Sequence, residues 1–310
     1  MARSSASPPT APSGEIADLI RQVRLVELKT RRLVDSRFSG EYLSSFKGQG
    51  IEFAEVREYQ RGDDVRSIDW NVTARLGGPF VKRYVEEREL SVLLIVDMSG
   101  SDRWGTRSRL KSQLMAEVVT TLAMSASRNN DRVGMLIGTD RVESFVPPRK
   151  GRRHVLRLVR DLLACEPTNR ATDLAPAISY AQRVLAHHAL VFVFSDFQLG
   201  PTWERFSKAV AGLRARHDVI ACHLTDPSDF ELPNVGMLRA TDPETGEEAV
   251  LDTSSPSVRE GYRALIGADE EKGRRLFTKL GIDEIRLRTD QASGRALTSF
   301  FQRRERRARG

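Results

Sequence analysis

Five oxygen-bearing side chains carry the clearest chemical signal in this chain. Val96-Asp97-Met98-Ser99-Gly100-Ser101 sets an aspartate and two serines at alternating positions directly after an apolar run. A second apolar run ends in Val193-Phe194-Ser195-Asp196, and Ala171-Thr172-Asp173 opens a helical pattern between the two. Asp97, Ser99, Ser101, Thr172 and Asp196 all offer oxygen, with no His or Cys among them. Such a set suits a hard cation, Mg²⁺ first. Two carboxylates balance the ion's charge, while the hydroxyls bind weakly and neutralise nothing. Mg²⁺ wants octahedral oxygens at about 2.0–2.1 Å and keeps waters. That leaves a coordination position for an outside oxygen, such as the Asp or Glu of a partner. Taken singly, the same residues also read as a turn and helix caps, because Ser, Thr and Asp favour both. Their conjunction at successive strand ends favours a shared site.

The elements that must position these residues follow from hydrophobic patterning. Leu90–Val96 and Ala189–Phe194 are continuous apolar runs, as expected for parallel strands covered on both faces. Further strands are expected at Arg132–Gly138, Asp218–Leu224 and Ile282–Leu287, with an antiparallel edge strand at Val142–Val146. Helical stripes fall at about 107–128, 152–164, 174–187, 202–214, 256–279 and 292–307. The alternation predicts an α/β fold, a Rossmann-like, doubly wound and mostly parallel sheet, with ligands beyond the carboxyl ends of its strands. Residues 226–253, rich in Pro, Asp and Gly, read as a hairpin-like insertion. Residues 1–14 read as a disordered tail. Residues 15–88 read as an amphipathic helix followed by short strands, with turns at Gly48, Gly50, Arg61-Gly62-Asp63 and Gly77-Gly78-Pro79, packed on the core formed by 89–310.

Composition narrows the function classes. The chain has 310 residues, 40% of them apolar, and no apolar run approaches the ~20 residues of a membrane span. Its start, MARSSASPPTAPSG, has no signal-peptide core. Two cysteines, Cys165 and Cys222, make neither a disulfide framework nor a thiolate metal site, so a cytoplasmic location is expected. Of the net charge of +7, residues 303–310 contribute +4 through five arginines and one glutamate. This tail reads either as a solvated helix end or as a handle for nucleic acid, an anionic membrane surface or an acidic partner. The block Arg66-Ser67-Ile68-Asp69-Trp70-Asn71 through Arg75 reads as structural, with Trp70 as packing and Asp69 and Arg75 in an ion-pair network. The alternative is a docking surface. Arg149-Lys150-Gly151-Arg152-Arg153-His154 reads as a basic helix entry. No P-loop and no Gly-x-Ser-x-Gly elbow occurs, and no catalytic lysine or histidine can be named near the site. A Mg²⁺-dependent hydrolase or phosphoryl-transfer enzyme, and a nucleic-acid binder using the arginine tail, are therefore second to a binding module.

The Asp-x-Ser-x-Ser run, the later Thr172 and the Asp196 after the next central strand resemble a von Willebrand factor A domain with a metal-ion-dependent adhesion site. That resemblance implies Mg²⁺ or Mn²⁺ held by Asp97, Ser99, Ser101, Thr172 and Asp196. The family often has Gly before the threonine and Thr-Asp-Gly at the last motif, whereas this chain has Ala171 and Ser195-Asp196-Phe197. A longer resemblance runs through GIEFAEVREYQRGDDVRSIDWNVTARLGGPFVKRYVEERE, DMSGS, NNDRVG, VPPRKGRRHVLRLVRDLLA, SDF and ELPNVG. These segments resemble the bacterial family called domain of unknown function fifty-eight. The resemblance implies an adaptor or chaperone-like protein working with a MoxR-type AAA+ ATPase, with no small-molecule substrate. Longer relatives carry N-terminal membrane helices that this sequence does not show.

Overall fold

The computed structural model describes residues 90–99, 109–169, 171–241 and 248–309; before them it describes 21, 23–28, 30, 42, 55–60, 68 and 70–83. The tail 1–14, the turns at Gly48, Gly50 and 61–63, Asp69 and Ser101 lie outside the described residues. The elements, in chain order, begin with β1 (Glu55–Glu58), α1 (Trp70–Leu76), β2 (Phe80–Arg83), β3 (Ser91–Asp97), α2 (Lys111–Arg128), β4 (Arg132–Gly138) and β5 (Val142–Arg149). Next come α3 (Arg152–Leu163), α4 (Leu174–Val184), β6 (Leu190–Ser195), α5 (Trp203–Arg214) and β7 (Asp218–Thr225). The chain ends with β8 (Met237–Thr241), β9 (Glu248–Asp252), α6 (Pro256–Leu280), β10 (Asp283–Arg288) and α7 (Ser293–Arg309).

Six strands form the central sheet in the order β10-β7-β6-β3-β4-β5, all parallel except the edge strand β5. The expected doubly wound sheet is therefore present. From β3 the chain steps to β4 on one side, then returns to place β6 on the other. The order thus reverses beside β3, which makes the carboxyl ends of β3 and β6 the switch point, the usual ligand position in such sheets. Alternation explains why the five residues Val92–Val96 of β3 are all apolar. Val92, Leu94 and Val96 join one core with α2, α3 and α7, while Leu93 and Ile95 join the opposite core with α4 and α5. A strand covered on both faces has no solvent side on which to place a polar residue until it ends.

The edge strand runs three residues beyond its expected end and takes in Pro147 and Pro148. Proline lacks an N–H, so it is tolerated where no further strand is paired. Pro148 also explains Gly134 on β4: a Cβ there would sit 2.8 Å from the Pro148 backbone nitrogen. The hairpin β8–β9 pairs from Met237↔Asp252 to Thr241↔Glu248 inside the expected insertion.

The N-terminal segment differs from expectation in two ways. Residues 70–76 form a helix rather than part of a strand-and-turn series, although β1 and β2 do pair and Gly77 (φ +76°) makes the turn between α1 and β2. The Phe80 amide donates to Thr73 Oγ1, closing that turn. Trp70 is 67% exposed and Arg75 is exposed, so the reading of Trp70 as core packing is wrong. A seven-residue helix gives too few turns to create a periodic signal. Anchoring instead comes from Val23, which packs on the core, and from Tyr42, buried edge-on against Phe301 at 5.6 Å.

The arginine-rich C-terminus is partly tied down. Arg304 pairs with Asp218 and Asp283, and Arg307 lies 3.0 Å from Asp283. These arginines cap acidic strand starts, which takes support from the nucleic-acid reading. At the basic helix entry, Arg152 pairs with Glu27 and His154 Nε2 lies 2.8 Å from the Val133 carbonyl.

Two glycines test this packing. Gly134→Ala should cost about 1–3 kcal/mol through overpacking against Pro148, seen as a lower midpoint in urea unfolding. Gly267→Ala, on α6 with open space around its Cβ, should instead gain about 0.5–1 kcal/mol from helix propensity.

Candidate metal centre

β3 and β6 run in register, with Val96 beside Phe194, so their last residues emerge side by side. Asp97 is 1% exposed. Its Oδ1 accepts the Ser99 amide at 3.0 Å, and its Oδ2 accepts the Ser195 hydroxyl at 2.7 Å. The Ser195 Oγ accepts in turn from the Phe197 amide at 2.9 Å. Phe197 has φ +52°, the left-handed region that glycine ordinarily fills. Its ring is buried against Phe206, Phe277 and His223 at 5.2–5.8 Å, which holds the turn without a glycine.

Asp196 follows, also buried. Its Oδ1 accepts the Gln198 amide at 3.2 Å, and its Oδ2 accepts from Lys111 Nζ at 3.1 Å. Lys111 opens α2, and its side chain is 2% exposed. The ammonium also lies 2.9 Å from Asp229 Oδ2, in the short turn after β7. That same Asp229 oxygen accepts the Asp226 amide, and Asp226 accepts the hydroxyl of Thr289, just past β10. Acidic residues thus follow or close β3, β6 and β7, three neighbouring strands, with one ammonium among them.

Thr172 is buried in the loop before α4. The next residue, Asp173, caps α4 through the Ala175 amide, pairs with Arg205 at 2.6 Å and donates its own amide to the Thr139 carbonyl at 3.3 Å. This fastens the Thr172 loop to the tip of β4, whose Gly138 pairs with Asp97. The structure therefore brings Asp97, Ser99 and Asp196 together at the switch point and ties the Thr172 loop to the neighbouring strand. Ser101 lies outside the described residues.

Burial shapes the charges at this switch point. Burial, reinforced by repulsion from Asp196, raises the Asp97 pKa to about 7 despite the opposing hydrogen bonds from Ser195 and Ser99. Burial likewise raises Asp229, against the pull of Lys111. Burial alone would lower the Lys111 pKa, but Asp196 and Asp229 reverse that and hold it above the ordinary lysine range. Among the described residues, no lysine or arginine pairs with Asp97. Among the same residues, no three carboxylate, imidazole or thiolate groups converge as a ready cation cage. A cation held here would draw on two carboxylates and neutral hydroxyl oxygens. An unneutralised buried carboxylate facing a second one fits a hard divalent cation.

Sequence reasoning missed Lys111, Asp226, Asp229 and the structural use of Ser195. Asp226 had a visible signal, since it follows an apolar strand as Asp97 and Asp196 do. Lys111 had none: it stands at the head of an ordinary amphipathic stripe. The half-buried pair His223 Nδ1–Glu284 Oε1, 2.9 Å apart, was also unforeseen.

Known proteins similar to this chain are as follows. The family described as "Protein of unknown function DUF58" matches residues 55–272. The uncharacterized protein Rv1480 of Mycobacterium tuberculosis is 35% identical over 291 residues, covering 92% of this chain and 90% of its own length. The uncharacterized protein MAV169 of Mycobacterium avium is 32% identical over 168 residues, 53% of this chain and 95% of its own. Among solved structures, BatB from Bacteroides thetaiotaomicron aligns with a TM-score of 0.45 at 14% identity, covering 70% of this chain and 99% of its own. The SpRpn10 VWA domain aligns at 0.38 and 8% identity, covering 67% and 93%.

The raised Asp97 pKa has a signed consequence. Because it exceeds the usual 3.8, folding takes up a proton between those values. The stability associated with the protonated carboxyl is complete below about pH 4 and is lost as pH climbs through about 7. In chelator, Asp97→Asn should therefore be more stable than wild type at pH 8 by a few kcal/mol, at about 1.4 kcal/mol per pKa unit. That advantage should shrink toward pH 4 in urea titrations; a constant difference would contradict the assignment.

Proposed function

We propose that this chain, which belongs to the DUF58 family, is a metal-dependent protein-interaction module. It would hold Mg²⁺ through Asp97, Ser99, Thr172 and Asp196, with Ser101 as the fifth ligand, and engage an Asp or Glu of another protein. The observation that carries this reading is Asp97: a carboxylate buried at the topological switch point, hydrogen-bonded but without a basic partner among the described residues, beside a second carboxylate. The bound ion would supply an electrophilic vertex for an incoming carboxylate.

The chain's own groups do the rest. The Ser99 amide and the Ser195 hydroxyl fix both Asp97 oxygens, so the carboxylate is aimed before anything binds. Preorganisation of this kind reduces what ordering costs on binding. The Asp173 cap and its ion pair with Arg205 hold the Thr172 loop against the sheet. The aromatic cluster around Phe197 keeps the base of the site dry, which strengthens charge interactions inside it. Neutral hydroxyls would hold the ion weakly, so the carboxylate of an acidic partner would complete its coordination.

The partner we propose is a MoxR-type AAA+ ATPase, following the longer family resemblance, with this chain as adaptor. In a pulldown with a co-encoded ATPase of that type, capture should require Mg²⁺ and fall at least about tenfold with chelator or with Asp97→Ala, the loss expected when a charged interfacial contact is removed. Capture indifferent to both treatments would eliminate metal-bridged recognition. Mg²⁺-dependent phosphoester turnover abolished by Asp97→Ala would instead favour the enzyme reading.

A further inference from the structure

The ammonium of Lys111 sits in an unusual place. It belongs to the first residue of α2, where the helix dipole disfavours positive charge. It is almost wholly shielded from water, and its bonds run to Asp196 Oδ2 and Asp229 Oδ2. A buried lysine is tolerated only where carboxylates compensate it. Yet one of these two carboxylates is a residue assigned above to the cation. Asp196 already spends Oδ1 on the Gln198 amide and Oδ2 on Lys111.

We propose that Lys111 is a built-in competitor for the divalent cation, a positioning residue that holds Asp196 in the metal-free state and yields it in the metal-bound one. This rests on the metal reading of Asp97, Ser99, Thr172 and Asp196, and it adds a residue that reading does not contain. Lys111 opposes the ion in two ways: it occupies the Asp196 oxygen, and its own charge repels a dication. Asp229 makes the exchange feasible, because the ammonium keeps one carboxylate when it gives up the other. Asp229 also anchors the turn after β7 through the Asp226 amide. Occupancy at the strand tips is thereby linked to the segment leading into the β8–β9 hairpin. A weakened intrinsic affinity makes stable metal binding depend on the extra carboxylate that a partner brings.

The test is titration of the full chain with Mg²⁺ by calorimetry and with Mn²⁺ by electron paramagnetic resonance. Lys111→Met should bind either ion at least about tenfold more tightly than wild type, because a nearby like charge is removed. Lys111→Arg, which keeps the charge, should stay near wild type. The gain from Lys111→Met should disappear when Asp196→Asn is added, since the cycle isolates action through that carboxylate. Asp229→Asn, which leaves the ammonium undivided on Asp196, should bind more weakly than wild type. A merely structural ion cluster would weaken binding in both Lys111→Met and Asp229→Asn. If wild type binds the ions and Lys111→Met is no tighter, the competitor role is overturned and the metal reading stands. If neither protein binds at millimolar ion, both fall. Should Lys111→Met not fold, Lys111→Gln takes its place: tighter binding than wild type supports the competitor role, and equal or weaker binding overturns it.

Discussion

Charge buried at the carboxyl edge of the sheet is the constraint around which this fold is arranged. Asp97, Asp196, Asp226 and Asp229 all lie out of water there, and Lys111 is the ammonium set among them. Burying an ionised carboxylate without compensation is among the most costly arrangements a protein can adopt. Each of the four is therefore met by donors: backbone amides of Ser99, Gln198, Asp226 and Ser228, and hydroxyls of Ser195 and Thr289. Those donors neutralise no charge. They orient the carboxylates, and among the described residues the compensating charge comes from Lys111, shared between Asp196 and Asp229.

Topology makes that concentration possible. Parallel strands all end on one edge, and β3, β6 and β7 are consecutive in the sheet. Because both faces of these strands are covered by helices, polar side chains are displaced to the ends. The strand order reverses beside β3, so the chain leaves it toward β4 on one side and returns to β6 on the other. Helix α2 contributes through its first residue alone, while most of its length fills the core.

The sheet and helices were readable because their signals are long. Five parallel strands appear as apolar runs or clear alternation, and the helices as stripes of three turns or more. The seven-residue α1 was not readable, since its two turns carry no periodicity that distinguishes it from strand and turn. Trp70 misled for a related reason: an aromatic in a charged block suggests packing, yet here it faces outward. At the site, Asp97 and Asp196 were legible because each ends an apolar run. Lys111 was not, because nothing in a sequence says that a helix-opening lysine will turn inward. Only the three-dimensional meeting of α2 with the ends of β6 and β7 makes it part of the same electrostatic unit.

The turn after β6 holds a bulky residue in backbone that glycine ordinarily fills. Phe197 stands where Thr-Asp-Gly sites have glycine, and it takes the left-handed backbone that a glycine would adopt freely. A bulky residue in that region is strained by roughly 1–3 kcal/mol, so something must hold it. The holding force is burial: its ring packs among Phe206, Phe277 and His223, and its amide is fixed by Ser195 Oγ. Burying an aromatic side chain is worth about 1.5–3 kcal/mol, enough to offset the strain. The glycine's freedom is thus replaced by packing, and the consequence is rigidity. Ser195, Asp196 and Phe197 are locked as a unit to α5 and α6, so Asp196 is presented on a stiff turn. Adjustment of its carboxylate must then come from the side chain and from the ammonium it faces, not from the backbone.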